Sequence, residues 1–314
     1  MFQYIADLIT YDLFEIAQGS PLADSVNFFI YDVLKISVLI FFIVSLIAFV
    51  RTYIPTNKIR DFMSGSHYGF GNVAAATFGA VTPFCSCSSV PLFIGFIKAR
   101  VPLGIAFSFL ITSPLVNEVA FVIMGGLFGW KLAVLYALSG ILLGVIAGII
   151  LGMLKMENSL ILEDAKGGKM YEYIPSKFVE KIKYSSKDGW KTFKKLLPYI
   201  VVGIGIGAVV YGYVPQEFFI NYVGKYSVFA VPVAVVVGVP IYAGCSTVAP
   251  LIFGITANGV PLGTSLALMM SIAGLSLPEG IMLRRVMNMK LLATFFGIVA
   301  VGILLIGYLF NFLG

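Results

Sequence analysis

The chain has 314 residues, 59% of them hydrophobic and 11% charged, with a net charge of +6 and a mean hydropathy of +0.98. A soluble domain carries about 25% charged residues, so this composition excludes a soluble globular protein and points to a chain that crosses the membrane many times. The basic balance implies no nucleic-acid partner, because in such a chain lysines and arginines report which loops face the cytoplasm.

Residues 1–32 read as an acidic arm, with Asp7, Asp12, Glu15 and Asp24 and no basic stretch of the kind that opens a cleavable signal. Residues 33–54 are the first segment long enough to cross about 30 Å of hydrocarbon at 1.5 Å per residue. His67 reads as a surface histidine near the interface. Residues 69–82 and 86–98 are too short to cross, at roughly 20 Å each, and meet at "TPFCSCSSVP" (82–91). They are expected to form a re-entrant hairpin with the cysteines at its tip. Residues 102–128 are long enough to span but are interrupted by Pro114, and 132–154 form a further span.

Residues 155–192 are polar and basic and read as a linker, whose portion "YEYIPSKFVEKIKYSSKDGW" is expected to form a short amphipathic helix on the membrane. Lys166 and Lys169 lack the spacing of a phosphate-binding loop. The pattern then returns. Residues 194–213 span, 229–243 and 246–258 form a second short pair around "GCSTVAP" (244–250), 261–283 are interrupted by Pro278, and 291–312 span.

The two halves align. "KISVLIFFIVSLIAFVRTYIP" (35–55) matches "KLLPYIVVGIGIGAVVYGYVP" (195–215), and "CSSVPLFIGF" (87–96) matches "CSTVAPLIFGI" (245–255). "VPLG" recurs at 101–104 and 260–263. The expected architecture is an all-α polytopic membrane protein of two repeats, 33–154 and 193–314, each with full spans and a re-entrant helical hairpin. With both termini outside, 18 of the 21 basic residues face the cytoplasm, and only Lys35, Lys131 and Lys225 do not. The two hairpins then enter from opposite faces, so the repeats have inverted topology and their tips approach each other near the midplane.

Irregular backbone at membrane depth survives only in a protein-lined or watery site. The tip residues Cys85, Ser86, Cys87, Ser88, Cys245, Ser246 and Thr247 therefore read as a substrate site, with Asn117 as a further polar contact and Ser89 as a further capping hydroxyl. Hydroxyls cap helix N-termini, and the dipole there favours anions and lowers thiol pKa. All three cysteines lie at the tips, and soft thiolates select thiophilic species. Cys85, Cys87 and Cys245 are thus soft-ligand candidates, although no resident metal or cofactor is implied. Glu118 and Glu279 lie inside apolar segments after proline breaks, as proton-coupling carboxylates or as first-turn helix caps. Glu118 is expected to matter more, because Arg284 and Arg285 can pair with Glu279.

"TPFCSCSSVP", "SPLVNE" (113–118) and "GCSTVAPL" (244–251) resemble the predicted-permease family that includes the organoarsenical-efflux permease ArsP. The resemblance covers the chain from about residue 33 onward. It implies a non-enzymatic carrier in a prokaryotic cell membrane, exporting a trivalent organoarsenical with Cys85 and Cys87 as thiol contacts. Its partners would be a small-molecule substrate, the lipid bilayer, and either a second copy or an accessory subunit. Two other readings stand beside it. One is transport of a sulfur-containing anion such as thiosulfate or sulfite. The other is a membrane thiol oxidoreductase, against which the chain has no CxxC and one histidine.

Overall fold

In the computed structural model, residues 2–17, 19–51, 69–82, 86–98, 100–116, 118–161, 178–213, 229–241 and 245–313 are described. Cys85, Asn117, His67, Lys225 and residues 162–177 of the linker lie outside them. The described chain is nearly all helical, and within it the only β pairing is an isolated antiparallel bridge, Leu160 to Met287.

A short helix, α1 (Phe2–Asp7), and a π-helical turn (Leu8–Leu13) precede α2 (Pro21–Arg51). The helix α2 starts where sequence chemistry favours it. Ser20 Oγ accepts the Ala23 N–H at 3.1 Å, and Pro21 takes the first helical position, where no N–H is needed. Asp7 accepts hydrogen bonds from Gln3 and Asn27 at 2.9 and 2.8 Å and so ties α1 to α2. Residues 21–32, read from sequence as part of an arm, therefore belong to the first long helix.

Next come α3 (Phe70–Val81), α4 (Ser86–Lys98), α5 (Leu103–Leu115), α6 (Glu118–Phe128) and α7 (Trp130–Met153). After the linker follow α8 (Phe178–Tyr213), α9 (Ala230–Gly238), α10 (Cys245–Ala257), α11 (Leu262–Gly274), α12 (Leu277–Leu283) and α13 (Met289–Leu313). Among the described residues three helical segments are long and apolar enough to cross a membrane: Trp130–Met153, Leu262–Leu283 and Met289–Leu313. Leu103–Leu115 and Ala120–Phe128 are long and apolar enough only together, as a pair bent by 45° after the Pro114 turn, the form of a broken span or of a re-entrant loop. The protein is a multi-pass membrane protein.

The centre is α5, buried at every position, beside α11, buried at nearly every position. The flanking helices are α3 and α7 for α5, and α9 and α13 for α11, with α7 also touching α13. The α2–α8 pair packs along itself and leans on the rest through α4 and α12.

Close approach of backbones in this core requires glycine. A Cβ on Gly104 would stand 2.6 Å from the Gly148 carbonyl oxygen, and one on Gly263 would collide with that of Gly307. Both first-named glycines close a "VPLG", and the interval from Gly104 to Gly148 equals that from Gly263 to Gly307.

Candidate functional site at the cysteine helices

The two cysteine stretches each open a short helix. Ser86, Cys87 and Ser88 form the first turn of α4, and Cys245, Ser246 and Thr247 form the first turn of α10. The placement of these six side chains lies outside the described residues, as do Cys85 and Asn117 altogether. What the structure gives is the cradle around the two helix starts.

On the α4 side, Ser89 is fully buried and its Oγ donates to Ser113 Oγ at 2.9 Å. Ser113 belongs to the "SPLV" stretch at the end of α5, so this bond fastens the first turns of α4 to the helix break. A buried hydroxyl pair is the low-cost way to hold polar groups here, because each oxygen satisfies the other. At the break, Tyr136 on α7 donates its hydroxyl to the Leu115 carbonyl at 2.8 Å. That carbonyl would otherwise end α5 without an acceptor role. Sequence reading singled out neither Ser113 nor Tyr136. "SPL" was legible as a break, but a tyrosine in a greasy helix carries no mark of its target.

In the second half the bonds run instead to α9, the helix that precedes the cysteine stretch. The Leu277 N–H donates to the Val239 carbonyl at 2.9 Å, tying the start of α12 to the end of α9. Ser271 Oγ donates to the Val235 carbonyl at 2.6 Å.

The helix contacts cross between halves. The α6 helix, which follows the first break, packs on α10, and α12, which follows the second, packs on α4. Each cysteine-bearing helix is therefore held by the broken helix of the other half.

The two carboxylates occupy unlike places. Glu279, in the first turn of α12 behind Pro278, is 0% exposed. Glu118, the first residue of α6, is exposed. Burial thus singles out Glu279, whereas the sequence assigns Glu118 the larger role. Contacts with α4 and α8 enclose α12, whereas Glu118 stands at the very start of its helix, beside the break. Arg284 and Arg285 are exposed at the end of α12. Beside α12 lies an apolar groove of about 410 Å³, lined among others by Leu277, Gly280, Ile281, Leu292 and Phe296.

Among the described residues no three His, Cys, Asp or Glu side chains come together to hold a metal ion.

Residues 22–312 match the family of predicted permeases ArsP_1. Among curated proteins, the UPF0718 protein MJ0584 of Methanocaldococcus jannaschii is 21% identical over 308 residues, covering 80% of this chain and 84% of that protein. The UPF0718 protein YraQ of Escherichia coli is 22% identical, covering 82% and 72%. A putative two-component membrane permease complex subunit of Streptococcus mutans is 26% identical over 170 residues, covering 54% and 53%. No solved structure matches.

Proposed function

Because the chain belongs to the ArsP_1 family of predicted permeases, we propose that it is a secondary carrier exporting a thiophilic small molecule such as a trivalent organoarsenical. The two cysteine helices form its binding site: Cys85 and Cys87 from one half, Cys245 from the other. Ser86, Ser88, Ser246, Thr247 and Asn117 supply hydrogen bonds around the thiols.

The observation that carries this reading is the crossed packing, α6 on α10 and α12 on α4. A site shared by two inverted repeats needs each binding helix to answer to the opposite half, so that rocking one half opens one side of the site and closes the other. The matched glycine crossings, Gly104 with Gly148 and Gly263 with Gly307, support the repeat. For the orientation, the bridge from Leu160 to Met287 supports a common side for the 155–161 and 284–290 segments, as cytoplasmic loops require. Coupling falls to a carboxylate, and burial favours Glu279 over Glu118. The Streptococcus mutans relative, named as a complex subunit, supports an accessory subunit for this chain too.

The experiment is transport by the purified chain in proteoliposomes. The panel holds methylarsenite, phenylarsine oxide, thiosulfate and sulfite, and a variant with all three cysteines changed to serine is the control. The expected result is movement of the arsenicals, lost on thiol capping and in the cysteine-free variant. Arsenical transport undiminished without cysteines refutes the site, and transport of thiosulfate alone replaces the substrate.

A further inference from the structure

The α8 helix is 36 residues long, about 54 Å, where a span needs roughly 20 residues. Its first half, where the sequence suggests a short amphipathic helix on the membrane, runs without a break into residues 194–213, which the sequence reads as a span. Its depth is set by α2, along which it runs antiparallel. Gly205 faces Phe29, Gly189 faces Ser45, and the rings of Trp190 and Phe193 stand 5.9 and 6.3 Å from that of Phe41. In this register, residues 183–194 of α8 lie beside about residues 40–51 of α2. That stretch of α2 carries no charge before Arg51. The exposed Phe42 and Leu46 there continue a stripe from Val38 that meets acyl chains.

The same slice of α8 carries Lys183, Lys187, Lys191 and Lys194, all exposed. Their spacing of four, four and three residues puts them on one face. Ser185, Gly189 and Phe193 are buried on the α2 side, so the lysine face points roughly the other way. Only Glu180 and Asp188 bring negative charge to this part of the helix. Trp190, 57% exposed, flanks the lysines with the kind of ring that settles at headgroup level.

Four ammonium groups at the depth of an apolar stripe cannot be left in hydrocarbon. Lysine stems can carry their charges toward water. From Lys183 to Lys194, however, is about 16 Å along the axis, more than one snorkelling side chain spans. The bilayer must therefore bring its own polar layer to the helix. We infer that the Lys183–Lys187–Lys191–Lys194 face of α8 is a docking surface for the phosphodiester headgroups of anionic phospholipids. Charge complementarity selects a negative headgroup. The neighbouring Val38, Phe42 and Leu46 on α2 select a molecule with acyl chains over a soluble anion. The inference rests on the membrane embedding of the chain and on none of the cargo assignments.

The test uses the full chain in mixed phosphatidylcholine and phosphatidylglycerol bilayers, extracted and weighed intact with its retained lipids. Phosphatidylglycerol should be enriched over phosphatidylcholine, and the enrichment should fall as salt rises. Each lysine removed should weaken it by about fivefold. The variant K183Q/K187Q/K191Q/K194Q should lose it, the matching four-arginine variant should keep it, and K131Q/K290Q should leave it unchanged. Millimolar inorganic phosphate should not displace the lipid. Equal retention of both lipids by the wild type overturns the inference. So does unaltered enrichment in the glutamine variant, and displacement by phosphate would make the surface a soluble-anion site instead.

Discussion

Gly104→Ala tests whether the core crossings are as tight as the backbone distances say. The added Cβ would lie 2.6 Å from the Gly148 oxygen, 2.9 Å from Gly152 Cα and 3.2 Å from Gly152 N. All three are backbone atoms, so no side chain can turn aside, and α7 must back away from α5. Overpacking of this kind costs about 1–3 kcal/mol. Replacing a helical glycine by alanine returns about 0.8–1.0 kcal/mol of helix propensity. The net loss is then roughly 0–2 kcal/mol, or a fall in melting temperature of up to about 8 °C for a chain of this size class, and the deficit against a glycine replacement with free space is the whole overpacking cost of about 1–3 kcal/mol. Gly297 on α13 has nothing within 4 Å of its Cβ position. Gly297→Ala should therefore keep only the gain and melt no lower than the wild type. The assay is temperature-dependent loss of the monodisperse protein in one lipid–detergent mixture, all variants side by side. Gly104→Ala as stable as Gly297→Ala would show that the α5–α7 crossing is looser than described, and would remove the glycine match as support for a repeat.

Glu279→Gln should fold, exchange substrate across the membrane and fail to accumulate it against a gradient. Glu118→Gln should do less, since that side chain is exposed. Proteoliposomes with an imposed pH gradient decide this, and wild-type accumulation indifferent to the gradient returns both residues to the status of first-turn caps. For topology, a cysteine introduced at Ser176 in a cysteine-free background should escape an impermeant maleimide in intact cells and react after permeabilisation. Strong labelling of intact cells reverses the orientation and makes the basic linker extracellular.

Helix boundaries were most legible where punctuation was dense. The segments expected at 69–82, 86–98 and 246–258 appear as Phe70–Val81, Ser86–Lys98 and Cys245–Ala257. Proline, serine and glycine mark those ends through backbone chemistry that acts within a few residues. The start of α8 was not legible. Hydropathy separates 178–193 from the span because lysine, serine and aspartate dominate there, yet helix continuity depends on local propensity and on the face that packs. Ser185, Gly189 and Phe193 supply that face, and Gly189 admits Ser45 of α2. The unlike burial of Glu118 and Glu279 was equally hidden. Both follow a proline break in an apolar segment, and only the contacts of α12 with α4 and α8 separate them. The Ser89–Ser113 bond joins two motifs that sequence reading had treated separately.

The buried polar groups bear on which cargo suits the proposed site. Among the described residues these are serines, threonines and one asparagine, together with Asp32 and Glu279. No lysine or arginine is among them. A permanent anion such as thiosulfate would have to be stabilised in mid-membrane by the N-termini of α4 and α10, each equivalent to about half a positive charge. A trivalent organoarsenical dihydroxide is neutral and asks for no such compensation. Two thiols exchange for its two hydroxyls, forming two As–S bonds and breaking two As–O bonds, and their two protons leave in two waters. That exchange changes no net charge in a low-dielectric interior, where an uncompensated charge is costly. The charge-neutral exchange is why the proposed site is assigned a thiophile first, with the sulfur anion as the alternative that the transport panel tests. Exposed cations stand elsewhere, among them the lysine face of α8, Arg284 and Arg285.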